Sequence, residues 1–149
     1  MSAALPQGLS AHILGLRHVG VVTPDREALL ERLLAIFAIP EEEVLRIPAD
    51  NSPSDTRFAF LNIGGTPYEI IEPSSPRFRE LLLNSGTGAN HVCYTVDNLD
   101  AAVEAMAAAG VRLGHVTPDG IVQTPRFRMA YFNPEDTGGL LIELVQDLP

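Results

Sequence analysis

Two segments of the chain repeat one another, and this repeat restricts the fold more than any other feature of the sequence. Residues from His18 read HVGVVTPDREALLE, and residues from His91 read HVCYTVDNLDAAVE, so that the two histidines lie 73 residues apart. Each segment passes from an apolar stretch through an acidic turn into an Ala/Leu-rich helical pattern. A chain with such a repeat is expected to contain two copies of one structural unit.

Two later pairs of segments continue the repeat. RFAFLN from Arg57 matches RMAYFN from Arg128, with Arg, Ala and Asn identical. The strand-like segments YEII and IELV then align Glu69 with Glu143, at a separation of 74 residues. Three matches in the same order at nearly constant spacing indicate a tandem duplication.

The first copy is predicted to form a strand, a helix and three more strands. Thr23 and Pro24 are typical of a helix start, with threonine as the cap and proline at the first helical position, and Pro40 ends the helix. Gly64 and Gly65 predict a hairpin turn between the last two strands. The predicted strands cover residues 17–22, 44–47, 57–63 and 67–72.

The second copy is predicted to have the same order of elements. Asp97 is expected to cap a helix that runs to about Ala109, where Gly110 supplies a left-handed stop. Between the copies, Ser75 and Pro76 predict the start of a short helix. The predicted strands cover residues 91–96, 111–116, 127–132 and 140–146.

These elements predict an α+β fold built from tandem βαβββ modules. The 149 residues have the length of one domain and are 46% hydrophobic, which is enough for a packed core. We predict one domain over residues 1–149, made of a module at 16–72, a linker at 73–89 and a module at 90–147.

Charge and cysteine content restrict the possible partners. The net charge is −9 and every basic residue is an arginine, so the field of the protein repels nucleic acid, and we expect no such partner. No apolar run reaches the roughly 20 residues of a membrane helix, so no membrane partner is expected either. Residues 1–16 contain no lysine or arginine and no long apolar core, so we expect no secretory signal there. The single cysteine, Cys93, fits a reducing compartment, and we therefore expect a cytoplasmic protein.

The repeat places one histidine and one glutamate at equivalent positions in each copy, His18 with Glu69 and His91 with Glu143. Each glutamate lies in an otherwise apolar strand, where a charge needs a partner. One interpretation is structural, with solvated edge-strand glutamates and core histidines. The recurrence of the pair favours a second one, a four-ligand site for one divalent ion such as Co, Ni, Mn or Zn, with two octahedral positions left for a substrate.

The chain resembles the vicinal oxygen chelate superfamily of glyoxalases, bleomycin resistance proteins and dioxygenases. The resemblance covers about residues 16–147, and within it YEIIEP, NHVCYTVDN and FNPEDTGGLLIELVQ are most similar to the methylmalonyl-CoA epimerase family. It implies a half-open mixed β-barrel, a glyoxalase-like fold, with His18, Glu69, His91 and Glu143 at the metal-ligand positions. It also implies a homodimer.

The resemblance implies a metal-dependent isomerase or epimerase acting on a small oxygen-chelating substrate, such as an acyl-CoA, through an enolate. Glu143 is the expected base, with Glu69 as a second catalytic carboxylate. The epimerases carry a further acid/base glutamate in the region where this chain offers only Asp50 and Asp55, so the second proton carrier is one of these or water. The alternatives are a glyoxalase (lactoylglutathione lyase)-like enzyme, an extradiol-type dioxygenase and a non-catalytic drug-binding resistance protein.

Overall fold

Gly64 and Gly65 form the hairpin turn that the sequence predicts. Their φ values are 58° and 82°, a conformation that glycine adopts without strain and that suits a two-residue turn between antiparallel strands. The turn joins β3 (Thr56–Ile63) and β4 (Thr66–Pro73), which pair over eight residues. The structure is a computed structural model, and it describes residues 8–50, 52–84, 86–117 and 120–149.

The chain divides into two compact units. One contains His18–His91, and the other contains the residues up to Arg17 together with Val92–Pro149. Strands β1 (Ile13–Val22) and β5 (Gly88–Val96) each carry residues of both units, because the boundaries fall beside His18 and His91. The predicted module boundaries remain a prediction, and residues 1–7 of the predicted domain lie outside the described residues.

The unit His18–His91 follows the predicted order of elements. Its strands pair in the order β2 (Leu45–Ile47), β3, β4 and β1, with β1 parallel to β4 and the other pairs antiparallel. Leu30 from the first helix packs against the strand residues Ala59, Leu61 and Ile70 to form its core. Its remaining elements are α1 (Arg26–Phe37), α2 (Pro76–Leu83) and a short 3-10 helix (Glu41–Glu43).

The other unit has the same connectivity and its own core. Its strands pair in the order β5, β8 (Ile142–Asp147), β7 (Phe127–Tyr131) and β6 (Val122–Gln123), with β5 parallel to β8 and the other pairs antiparallel. The predicted α+β class with two βαβββ copies is therefore confirmed. Its remaining elements are α3 (Leu99–Ala108) and 3-10 helices at Leu9–His12 and Pro134–Asp136. No described helix has both the length and the apolar composition to cross a bilayer.

The predicted strand at 111–116 is wrong. Within it only Leu113 makes a bridge, to Phe132. His115 has a φ of 62°, which is left-handed backbone and breaks an extended strand. The second copy obtains its remaining strand from β6, which pairs with β7.

The start of α1 also differs from the prediction. Asp25, and not Thr23, caps the helix, and its carboxylate accepts a hydrogen bond from the backbone N–H of Ala28 at 3.0 Å. The helix therefore begins at Arg26, two residues after Pro24. The Thr23 hydroxyl accepts a hydrogen bond from the backbone N–H of Asp25 at 3.2 Å, so it positions the cap instead of forming it.

Helix α3 begins in the same way. Asn98, and not Asp97, is its cap, and the amide oxygen accepts from the backbone N–H of Ala101 at 3.1 Å. The φ and ψ of Asn98, −149° and 103°, nearly equal the −147° and 102° of Asp25. Asp97 instead pairs with His12 at 3.0 Å. Gly110 follows the helix with a φ of 83°, as predicted.

Candidate metal centre

Three of the four predicted metal ligands meet within the unit His18–His91. The Nε2 atoms of His18 and His91 are 3.1 Å apart. Oε1 of Glu69 lies 3.5 Å from Nε2 of His18 and 3.7 Å from Nε2 of His91. Both histidines are buried, 7% and 3% exposed, so the three side chains form an enclosed cluster of two imidazoles and one carboxylate.

The strand register explains how His18 and Glu69 come together. β1 and β4 are parallel neighbours, and Gly20 stands directly opposite Glu69. Side chains alternate along a strand, so His18, two residues before Gly20, projects from the same face as Glu69. His18 in the first strand of the copy and Glu69 in its last strand therefore lie side by side.

Gly20 makes room for the ring of His91. A Cβ atom at Gly20 would lie 2.1 Å from Cε1, 2.3 Å from Nδ1 and 2.7 Å from Nε2 of His91. Distances below 3.0 Å essentially never occur for a real Cβ, so the imidazole occupies the space that any other residue would fill. The absence of a side chain at residue 20 is thus a condition for the position of His91.

Asn90 orients the same ring. Oδ1 of Asn90 lies 2.9 Å from Nδ1 of His91. A carboxamide oxygen can only accept, so Nδ1 carries a proton, and in the neutral imidazole the lone pair is then on Nε2, the atom that faces His18 and Glu69. Metal-binding histidines commonly have such a partner on the second ring nitrogen.

The donor atoms fit a first-row divalent ion. Their separations of 3.1, 3.5 and 3.7 Å are close to the roughly 3 Å between neighbouring ligands in a site with bonds of about 2.1 Å. Imidazole nitrogen with carboxylate oxygen suits zinc, cobalt, nickel or manganese. Small movements of the side chains would bring all three atoms to bonding distance.

Glu143, the fourth predicted ligand, belongs to the other unit. It is buried in β8, where it stands opposite Cys93 of β5 and Tyr131 of β7. Cys93 is also fully buried, as expected for a small thiol. The roles of Glu143 as ligand and as base remain predictions.

An apolar surface lies beside Glu69 on the same face of the sheet. Glu69 stands opposite Phe60, and Phe60 stands opposite Leu45, so these three side chains form one row across three strands. Phe58 stacks on Phe60, with ring centroids 6.3 Å apart. The cluster of ligands therefore has an apolar neighbour that could contact a hydrocarbon group of a substrate.

The two candidate proton carriers in the loop before β3 differ in their contacts. The backbone N–H and hydroxyl of Ser52 donate to the carboxylate of Asp50 and hold its pKa below the ordinary value. Asp55 contributes its backbone carbonyl, which accepts from the N–H groups of Ser74 and Ser75 at 2.8 and 3.0 Å. Asp50 therefore stays ionised near neutral pH.

Sequence reasoning did not identify Gly20 or Asn90. The repeat does contain one signal for Gly20, because it aligns Gly20 with Cys93. In each copy a small residue therefore stands two positions after the histidine. Asn90 has no equivalent signal, since His18 is preceded by Arg17. Only the three-dimensional contact with His91 reveals its role.

Comparison with known proteins gives one family and a consistent set of relatives. A model of the glyoxalase/bleomycin resistance protein/dioxygenase superfamily matches residues 17–131. The human mitochondrial methylmalonyl-CoA epimerase is 30% identical over 135 residues, which are 88% of this chain and 73% of that protein. The ethylmalonyl-CoA/methylmalonyl-CoA epimerase of Cereibacter sphaeroides is 29% identical over 88% of this chain and 96% of that protein. The crystal structure of the Mycobacterium tuberculosis methylmalonyl-CoA epimerase is similar in fold, with a TM-score of 0.71 and 24% identity over 98% of this chain and 94% of that one.

Proposed function

Because the chain belongs to the glyoxalase/bleomycin resistance protein/dioxygenase superfamily, we propose that it is a metal-dependent epimerase of acyl-CoA thioesters that works through an enolate. The predicted family is confirmed, and so is the prediction that the chain is an enzyme of this superfamily. The names of the relatives supply the substrate class, a 2-substituted malonyl thioester. The observation that carries the proposal is the buried cluster of His18, Glu69 and His91.

His18, Glu69 and His91 would hold the divalent ion, with Glu143 as the fourth ligand that the repeat predicts. When bound, such an ion supplies positive charge that stabilises negative charge on the oxygens of the substrate. Cobalt, nickel, manganese and zinc all suit this donor set, which leaves the choice among them to measurement.

The acid–base steps belong to the carboxylates. We propose that Glu143 removes the proton from the carbon between the two carbonyl groups, and that a second group returns a proton to the opposite face. Asp50, Asp55 and water are the candidates for this second group.

The first experiment measures metal content. Purified protein dialysed against micromolar cobalt should retain about one ion per chain, as expected for a single site with three or four ligands. His91→Ala should lose most of it without change in circular dichroism. His12→Gln is the matched control, because His12 pairs with Asp97 and not with the cluster. A wild-type protein that retains no metal would contradict the proposal.

The second experiment follows proton exchange in heavy water with methylmalonyl-CoA or another 2-substituted malonyl thioester. The wild type should replace the acidic C–H by deuterium, and Glu143→Gln should abolish this exchange. Glu69→Gln should have a milder effect, because an amide oxygen can still act as a ligand. Absence of exchange across a panel of thioesters, with metal present, would overturn the assignment.

One observation favours a second candidate, an extradiol-type dioxygenase. His18, Glu69 and His91 alone make up a set of two histidines and one carboxylate, which non-haem iron oxygenases use. Such an enzyme would consume oxygen in the presence of a catechol and iron, and would not exchange the thioester C–H. Measuring both activities on the same preparation separates the two candidates.

We also propose that the protein is a cytoplasmic homodimer. The family resemblance implies the dimer, and the edge strand β2 has an apolar surface, with Leu45 59% and Ile47 50% exposed, that a second copy could cover. Sedimentation at micromolar concentration should give twice the mass of the chain, and a monomer would contradict this proposal.

A further inference from the structure

A cavity with two arginines lies in the unit His18–His91, apart from the candidate metal centre. It has a volume of about 410 Å³ and is lined by Pro53, Ser54, Arg57, Glu72, Ser74 and Arg79. Arg57 and Glu72 stand opposite each other on β3 and β4. Glu72 is three residues after Glu69 along β4, so their side chains leave opposite faces of the strand. The cavity is therefore on the face of β4 that the cluster of ligands does not use.

The carboxylate in this cavity already has partners. Oε1 of Glu72 accepts a hydrogen bond from the backbone N–H of Arg26 at 2.7 Å, at the start of α1. Its Oε2 lies 3.8 Å from Nε of Arg57, which is longer than the 2.7–2.9 Å typical of a charge-assisted hydrogen bond. A guanidinium carries five N–H donors, so Arg57 can bind a ligand in addition to its partners within the protein.

Two further groups of the cavity are available as donors. Arg79, on the exposed side of α2, makes no ion pair with any described residue. The hydroxyl of Ser74 is enclosed and has no hydrogen-bond partner among the residues that the structure describes. The backbone around it is fixed, because the N–H of Ser74 donates to the carbonyl of Asp55 at 2.8 Å. A buried hydroxyl without a partner is unfavourable, and a ligand oxygen would satisfy it.

We propose that this cavity binds a phosphate group of a small molecule. Its two guanidinium groups outnumber its one carboxylate, although the whole chain has a net charge of −9. Guanidinium groups bind phosphate through paired N–H···O bonds, and the Ser74 hydroxyl adds a further donor. The phosphate belongs either to the coenzyme A part of a thioester or to a separate phosphorylated compound. The site uses none of the candidate metal ligands; its coenzyme A source rests on the proposed function, whereas a separate phosphorylated compound does not.

Calorimetric titration of the full chain with inorganic phosphate tests this site. Arg79→Gln should weaken phosphate binding about tenfold, as expected for the loss of a charge-assisted pair, and Ser74→Ala should weaken it less. Arg77→Gln removes the same charge from the same helix but not from the cavity, and should leave the affinity unchanged. His91→Ala should also leave it unchanged, since His91 belongs to the candidate metal centre.

Titrations with coenzyme A and with dephospho-coenzyme A distinguish the two sources. If Arg79→Gln weakens coenzyme A as it weakens phosphate, but does not weaken dephospho-coenzyme A, the cavity takes the 3′-phosphate of the coenzyme. If it weakens only inorganic phosphate, the ligand is a separate phosphorylated compound. Equal weakening in Arg77→Gln and Arg79→Gln, or weakening in His91→Ala alone, would overturn the proposal, and so would a wild type that binds no phosphate.

Discussion

The ring of His91 lies against the backbone of Gly20, and a methyl group at residue 20 would stand 2.1 Å from its Cε1 atom. The contact joins the middle of β1 to the beginning of β5. The missing side chain at residue 20 leaves room for the ring of His91, which is one of the three clustered side chains. The hydrogen bond from its Nδ1 to Asn90 also holds the ring in place. The position of His91 thus depends on a residue that has no side chain.

Gly20→Ala should therefore displace His91 and weaken metal binding, by about 10–100-fold if it acts like the loss of a supporting contact around a ligand. Overpacking should also cost about 1–3 kcal/mol of unfolding free energy. Gly15→Ala is the matched control in the same strand, because a Cβ there meets nothing within 4 Å. Equal metal affinity in both variants would contradict this account of Gly20.

Arg26, the first residue of α1, has a buried side chain. It is 2% exposed, and its Nη1 donates to the carbonyls of Pro48 at 3.0 Å and Phe58 at 3.1 Å. Arg26→Met should lower the unfolding free energy in urea by about 2–4 kcal/mol, because both carbonyls lose a charged donor. Arg32→Met, on the exposed side of the same helix, should stay within about 0.5 kcal/mol of the wild type. A similar change in the two variants would show that the buried contacts contribute little.

The two equivalent helix caps should contribute similarly to stability. Asp25→Ala and Asn98→Ala each remove the side chain that accepts a hydrogen bond in the first turn, and each should cost about 1 kcal/mol. Asn98→Asp keeps an acceptor there and should be nearly neutral. Thermal unfolding of the three variants measures this, and an unchanged Asn98→Ala would argue against the cap.

Stability should fall in acid partly through Asp136. The side chain and backbone N–H of Arg112 donate to its carboxylate and hold the pKa of Asp136 below the ordinary 3.8. A carboxylate whose pKa is lower in the folded state stabilises the protein above the unfolded pKa, and this contribution is lost as the pH falls through the folded value. The difference in Tm between the wild type and Asp136→Asn should thus be constant from pH 7 to about 5, and should shrink below about pH 4. A difference of the same size at pH 3 and pH 7 would contradict this role.

The sequence could predict the clustered histidines because the duplication repeats them with their glutamates at matching spacing. It could not predict the strand register that places Gly20 opposite Glu69, since register depends on pairing between distant segments. The error at 111–116 has a similar origin. Val, Leu and His form an apolar strand-like pattern there, but the left-handed conformation of His115 is set by its surroundings and not by its residue type.

The capping residue of each helix could not be predicted to the exact position. Thr23, Asp25, Asp97 and Asn98 are all good capping residues, and propensity alone does not choose between neighbours. The choice is made by other contacts, such as the ion pair that engages Asp97 with His12. The two arginines of the phosphate cavity were equally unpredictable, because Arg57 and Arg79 are brought together by β3 and α2, which are separated in the sequence.

The clustered side chains come from three distant points of the chain. Glu69 lies 51 positions after His18, and His91 lies 22 positions after Glu69. An ion held by all three would cross-link these points only in the folded chain and would be released on unfolding, so its binding energy would add to the stability of the fold. Unlike a disulfide, this cross-link would be reversible and would depend on the supply of free metal. The proportion of folded protein would then rise and fall with the metal content of its surroundings, so the cluster would determine the lifetime of the protein as well as its chemistry.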